Sequence, residues 1–208
     1  MARLALICAM RKEYEFLKTL ESECVSVGLC GVGKVNSALC TDRMIREFKP
    51  DCILNIGVSG ALDPTLSTGD LLLSSSVQYH DVWCGEGWNF GQVQDMPLRY
   101  AADAVMLAAA VEALPEARVG NLISGDQFYI SVEEDARQRK MFPDALACDM
   151  ESASVAQVCH SRGIPFLALR IVSDVHDERQ AQHYEDFWDT VAADAFKAAS
   201  RVVSALTR

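Results

Sequence analysis

The fold class that the sequence predicts is α/β, a single-domain three-layer αβα sandwich with a central mixed, mostly parallel twisted sheet, and three observations lead there. Strand-length apolar runs alternate along the chain with amphipathic stretches at helical spacing. The apolar runs are nearly continuous, as strands covered on both faces are, instead of alternating with polar residues. With 208 residues, half of them hydrophobic, the chain is long enough for a substantial core and short enough for one domain.

Residues 3–10 read as a buried strand, and 11–23 as a Glu/Lys-rich helix with Tyr14, Phe16, Leu17 and Leu20 at helical spacing. Residues 24–30 form a second strand, Gly31 to Gly33 break it, and 35–48 continue as a helix stopped at Lys49-Pro50. Strands follow over 52–57 and 70–79, then an Ala-rich helix over 101–114 that ends near Pro115. A strand over 118–124, a helix over 132–139, a short strand over 146–149 and a helix over 152–161 come next. A strand over 165–172 and one long helix over 184–206 close the chain. In such folds ligands sit beyond the carboxyl ends of the strands. The most irregular stretch, His80 to Tyr100, carries Trp83, Trp88, Phe90 and three glycines; a loop of that kind covers a site, meets another subunit, or simply packs on the surface.

A formal net charge of −10 argues against partners rich in phosphate, so neither nucleic acid nor an anionic membrane surface is expected to bind. No apolar run approaches the roughly 20 residues that span a bilayer, and Leu4 to Met10 lacks a following cleavage site, which predicts a cytoplasmic protein. The cysteines at 8, 24, 30, 40, 52, 84, 148 and 159 are scattered through apolar runs with no CxxC pair, and read as small buried hydrophobes in a reducing compartment.

Gly28 to Lys34 satisfies GxxxxGK between a strand and a helix, the pattern of a triphosphate loop. Val35 replaces the hydroxyl that binds Mg²⁺, and the strand over 52–54 ends in Asn55 where a metal-binding acid belongs, so the segment reads better as a glycine turn. More informative are three acids that follow on apolar strands: Glu13, Glu151 and Asp174. Each alone is explained by helix capping or by the helix dipole. Parallel strands bring all three to one rim, where cleavage of a glycosidic bond through an oxocarbenium-like transition state needs an acid for the leaving group and a base for water. Ser59 in Gly57-Val58-Ser59-Gly60 lacks the spacing of a nucleophile elbow. The dipeptides His80-Asp81 and His176-Asp177 lack any further histidine cluster, so no metal is expected.

Segments along nearly the whole chain resemble the bacterial 5′-methylthioadenosine/S-adenosylhomocysteine nucleosidases of the purine nucleoside phosphorylase/nucleosidase superfamily. They include Ala9 to Glu13, Gly31 to Val35, Asn55 to Asp70, Tyr79-His80-Asp81, Phe90-Gly91-Gln92, Ser124 to Phe128, Asp149 to Ala156 and Arg170 to Asp174. The resemblance implies a nucleoside phosphorylase-like fold and a cofactor-free homodimer that hydrolyses a small purine nucleoside. It assigns Glu13 as the base that positions water and Asp174, oriented by Ser173, as the acid that protonates purine N7. Glu151 then accepts from the ribose hydroxyls, Met150 packs on the sugar, Phe128 stacks on the purine, and backbone groups at Phe128 and Tyr129 read its edge. Met10, Val58, Arg170, Tyr184 and Phe187 complete the implied substrate-binding set, and the loop from Trp83 to Phe90 reaches the partner's site.

Phosphorylases of the superfamily hold phosphate with arginine, one of them near the strand where this chain has Asn55, so water is the expected acceptor; Arg11, near Glu13, keeps phosphorolysis open. The chain departs from the family pattern at several places. A strand hairpin between the first helix and residue 24 is missing, Val58 stands where Ser is common, Tyr184 replaces an aromatic that is usually Phe beside the 5′ substituent, and Tyr129 replaces a small aliphatic. A hydroxyl in an apolar pocket wants a partner, which points to a 5′ group more polar than methylthio. A futalosine or other purine nucleoside hydrolase, and a nucleoside-binding module without turnover, are the alternatives.

Overall fold

The computed structural model describes residues 2–128, 132–175 and 180–208. Its elements in chain order are β1 (Leu4–Cys8), α1 (Arg11–Leu17), a 3₁₀ turn (Lys18–Leu20), β2 (Val25–Leu29), α2 (Lys34–Phe48), β3 (Cys52–Ala61), β4 (Leu71–Tyr79) and β5 (Tyr100–Ala101). Then follow α3 (Ala104–Ala113), β6 (Arg118–Ser124), α4 (Val132–Met141), β7 (Ala145–Asp149), α5 (Ser152–Arg162), β8 (Phe166–Val175), α6 (Gln180–Thr190), α7 (Ala192–Ala195) and α8 (Lys197–Leu206).

Two cores flank the sheet, and the alternation of side chains along each strand divides them. Leu4, Leu6 and Cys8 of β1, Leu54 and Ile56 of β3, and Leu167, Leu169 and Ile171 of β8 face one core, with Leu17 of α1, Met106 of α3 and Val202 of α8. Ala5, Ile7, Ile53, Ala168 and Val172 face the other, where Met44 of α2 and Val155 of α5 meet them. A strand buried on both faces has no polar side to show, which is why these runs are apolar throughout.

Strands β2, β1, β3 and β8 lie side by side and parallel. Strands β4, β6 and β7 are parallel to one another and run against the first set, because β4 pairs antiparallel with β8 and β7 antiparallel with β3. The sheet is therefore mixed, and β3, β8, β4, β6 and β7 close on themselves into a ring from which β1 and β2 extend. Within that ring every strand pairs with two neighbours, although the β3–β7 and β4–β8 pairings that close it are short.

The expected elements are present, with several ends moved: the helix expected over 11–23 gives way at Leu17 to the 3₁₀ turn, and the strand expected to stop at 172 runs on to Val175. The helix expected from residue 101 begins at Ala104, because Asp103 caps it, its Oδ1 accepting from the N–H groups of Val105 and Met106, while Tyr100–Ala101 pair with β4. The strand expected to stop at Gly57 runs on to Ala61 alongside β8. The single closing helix is three: Trp188 and Phe196 stack with centroids 6.3 Å apart, and Phe196 stacks on Phe16 of α1 at 5.0 Å. Eight residues of straight helix would hold those two rings about 12 Å apart along the axis, so the stack requires the bends at Val191 and Phe196. As expected, no hairpin intervenes before β2; the 3₁₀ turn and the paired backbone bonds of Ser22 and Val25 lead directly into it.

Candidate active site

The acids do not meet because their strands are parallel; β7 runs opposite to β1 and β8. They meet because β3 crosses its neighbours at its carboxyl end, where Gly60 pairs with Cys148 of β7 on one side and with Asp174 of β8 on the other. Asp149 to Glu151 and Asp174 thus flank one stretch of β3. On β8 the register jumps from Val172 opposite Ser59 to Asp174 opposite Gly60, so Ser173 is an extra, bulged residue. A bulge resets the two-residue alternation of the strand and re-aims the side chain after it, here Asp174.

Glu13 stands in the first turn of α1 and reaches back over its own helix end. Its Oε2 accepts from the N–H groups of Ala9 and Met10, both at 2.9 Å, and its Oε1 from Val58 at 3.0 Å. The first two bonds are the helix-cap reading of this residue, and the third ties it to β3. Gly57 lets the group approach so closely, since a Cβ there would lie 2.7 Å from Glu13 Oε1 and 3.0 Å from Arg170 Nη1. Glu151 opens α5 and accepts from the N–H of Gly33 at 2.8 Å; Ser173 Oγ donates to Asp174 Oδ1 at 2.5 Å.

Glu13, Glu151 and Asp174 are all nearly excluded from solvent, and all three line one cavity of about 320 Å³. Burial pushes the Glu13 carboxyl upward, against the backbone donors and Arg170. Burial pushes Glu151 up as well, and the negative charge of Asp149 adds to it; with Arg170 and the Gly33 N–H opposing, it stands at about 8. Asp149 goes the other way, because Arg170 and the hydroxyls of Ser124 and Ser152 outweigh the cost of burying it and hold it below the usual carboxylate range.

Met10, Val58, Phe128, Met150, Ser173 and Tyr184 line the same cavity, so it gathers nine of the twelve residues expected there. Phe128 and Tyr184 meet edge to face with centroids 5.1 Å apart, and Tyr184 Oη donates to Met10 Sδ at 3.3 Å. Tyr129 lies outside the described residues. Phe187 belongs elsewhere: it is wholly buried in the core beside Trp188, because α6 turns that face inward to the sheet. Arg170 also corrects the expectation, since it lies behind the cavity wall with its guanidinium engaged by Asp149 and Asn55. Sequence reasoning passed over Asp149, Gln127, Val32 and Cys148, which also form the wall. Only Asp149 carried a signal, as a fourth acid ending an apolar strand.

The glycine turn that mimics a triphosphate loop serves this cavity. Gly31 and Gly33 hold left-handed backbone at φ +86° and +98°, which aims the Gly33 N–H at Glu151. Lys34 Nζ is paired with Asp81 at 2.6 Å and lies 3.7 Å from Asp126. Among the described residues no group of three or more His, Cys, Asp or Glu is placed to hold a metal ion, and His176 and Asp177 lie outside them.

Residues 10–208 match the model of the Phosphorylase superfamily. A 5′-methylthioadenosine/S-adenosylhomocysteine nucleosidase of Staphylococcus aureus is 36% identical over 181 residues, which cover 85% of this chain and 79% of the relative. The chain belongs to the methylthioadenosine/adenosylhomocysteine nucleosidase family. Solved structures agree with membership of this nucleosidase family. The enzyme of that name from Neisseria meningitidis, in complex with methylthio-immucillin-A, superposes with a TM-score of 0.91 at 35% identity over 98% of this chain and 99% of its own. One from Colwellia psychrerythraea with adenine gives 0.93 at 28% identity, over 99% and 96%. The futalosine hydrolase of Helicobacter pylori gives 0.88 at 28% identity, over 97% of each chain.

Proposed function

We propose that this chain is an N-glycosyl hydrolase that cleaves an adenine nucleoside such as 5′-methylthioadenosine or S-adenosylhomocysteine into adenine and the 5′-substituted ribose. The observation that carries this reading is the convergence of Glu13, Glu151 and Asp174 on one buried cavity. The ligands of the Neisseria and Colwellia relatives support it.

In the reaction the bond from C1′ to N9 breaks as water oxygen bonds to C1′. Asp174, steadied by Ser173, gives its proton to N7, so that adenine leaves neutral, and Glu13 takes the proton of the water. Positive charge grows on the ribose in the transition state, and carboxylates in a water-poor cavity stabilise it there more than in the ground state. Glu151 holds the ribose hydroxyls, Met150 packs on the sugar, and Phe128 offers its ring to the base. Water is the acceptor because neither Lys nor Arg is among the described residues lining the cavity. Arg11 is exposed, and Asn55 is committed to Ile7 O and Arg170.

A second reading, hydrolysis of a nucleoside with a polar 5′ group such as futalosine, is favoured by one feature. Tyr184 puts a hydroxyl on the cavity wall against a thioether sulfur, a weak acceptor that a polar substrate group can replace. We further propose a single-domain cytoplasmic homodimer. Val35 and Leu39, one turn apart on α2, are 69% and 66% exposed, an apolar helix face suited to a second copy.

The test is a panel of methylthioadenosine, adenosylhomocysteine, adenosine, inosine and futalosine, each with and without phosphate, with the released base and sugar identified by chromatography. Adenine release from methylthioadenosine without phosphate is expected. Release only with phosphate, or from no nucleoside, contradicts the reading.

A further inference from the structure

From the cavity wall inward runs a set of buried polar side chains to which the proposed chemistry assigns no step, with Asp149, itself part of the wall, at its centre. Asp149 is 6% exposed. Its Oδ2 accepts from Arg170 Nε at 2.7 Å and from the hydroxyl of Ser152; its Oδ1 accepts from the hydroxyl of Ser124 and from the N–H groups of Glu151 and Ser152, both at 3.0 Å. Each donor stands on a segment that carries part of the site. Ser124 ends β6 just before the chain reaches Phe128, Glu151 and Ser152 open α5, and Arg170 lies on β8 ahead of Asp174.

Arg170 extends the set to the other carboxylate. Its Nη2 donates to Asn55 Oδ1 at 2.5 Å, and Asn55 Nδ2 donates to the carbonyl of Ile7 on β1, the strand that leads into the Glu13 turn. Its Nη1 and Glu13 Oε1 share the space that the missing side chain of Gly57 leaves open. A buried ion pair is costly to assemble, and a pair this fully bonded gives defined geometry in return.

We propose that Asp149 is a positioning residue for hydrolysis: from one carboxylate it anchors Arg170 beside Glu13 and the start of α5 that presents Glu151. Asp149 acts through those groups and not on the substrate. The inference rests on the nucleosidase reading, and native enzyme assayed alongside separates the two: no turnover by the native chain sinks that reading, whereas native turnover with an indifferent variant sinks this role.

The test is Asp149→Asn, which keeps shape and removes charge, assayed on methylthioadenosine with sites counted by titration with methylthio-immucillin-A. Per titrated site, kcat is expected to fall at least 30-fold with KM within threefold of native. The limb of the kcat/KM profile that reports Glu151 is expected to move to lower pH, since a neighbouring negative charge has gone while Arg170, Glu13 and the Gly33 N–H stay. In an Arg170→Gln background the same change is expected to cost under threefold, because the two act as one unit. A native kcat per site and an unmoved pH profile, with only a lower melting temperature, overturn the proposal. Should Asp149→Asn not fold, Ser152→Ala decides: this loses the hydroxyl that bonds both Asp149 and Asn55. A threefold or greater fall in kcat then supports the role, and an unchanged kcat overturns it.

Discussion

Taking a carboxylate out of water costs several kcal/mol unless donors go with it, and the acids of this site differ in how far that cost is met. Glu13 keeps three backbone N–H groups, whereas Glu151 keeps the N–H of Gly33 and faces Asp149. With its carboxyl raised from 4.5 to about 8, folded Glu151 holds a proton that the unfolded chain has lost across that interval, so its contribution to stability falls as pH rises through it. Glu151→Gln is therefore expected to melt higher than native at pH 9, by on the order of 5 °C, and level with it near pH 4; equal shifts at both pH values would count against the buried, unsettled carboxylate. Phe187, expected in the cavity, is instead core. Phe187→Ala should cost about 3–5 kcal/mol in denaturant unfolding while leaving KM within twofold, and a large KM change would return it to the site. Glu13, Glu151 and Asp174 were legible because acids ending apolar runs are chemically conspicuous, whereas Met10, Val58, Phe128, Met150, Ser173 and Tyr184 were legible only through the family resemblance. Asp149 was passed over because the partners that give it a role, Ser124 and Arg170, are distant in sequence and no local pattern encodes them.

At the scale of elements, the bulge at Ser173 and the glycine at 57 place the chemistry. Gly57→Ala puts a methyl 2.7 Å from Glu13 Oε1 and 3.0 Å from Arg170 Nη1, so both heads must move. Steady-state kinetics should show kcat down more than tenfold, since misplacements near 1 Å cost about 100-fold; native kcat would mean that the crowding is relieved without displacing either head. The strands were readable as apolar runs, and most helices by their spacing. The bulge left no mark in composition, because one extra residue changes no periodicity that a ten-residue strand can display. The bends at Val191 and Phe196 were equally silent: helical spacing continues through them, and the reason to bend is the stack of Phe196 on Phe16, more than 150 residues away in sequence.

Across the whole molecule, ring closure of β3, β8, β4, β6 and β7 brings antiparallel strands to a common site, an arrangement that strand-by-strand reading replaced with a parallel rim. The α/β class and the family were legible from the order of segments; the crossing that joins Gly60 to both Cys148 and Asp174 is a long-range pairing that no local pattern encodes. The apolar face of α2 belongs to this scale too. Analytical ultracentrifugation of the native chain should give twice the mass of one chain, and Leu39→Glu, a charge on a side chain 66% exposed here, should give a monomer; a native monomer at micromolar concentration would remove the dimer.

In the proposed mechanism two carboxyl groups, Glu13 toward water and Asp174 toward the base, divide the work of cleavage. The decisive assay is adenine release from methylthioadenosine in phosphate-free buffer by native protein, Glu13→Gln and Asp174→Asn. Rates lowered about 100- to 10,000-fold are expected in each variant, with binding of methylthio-immucillin-A still measurable by calorimetry. Native-like rates in either variant would contradict that division of labour.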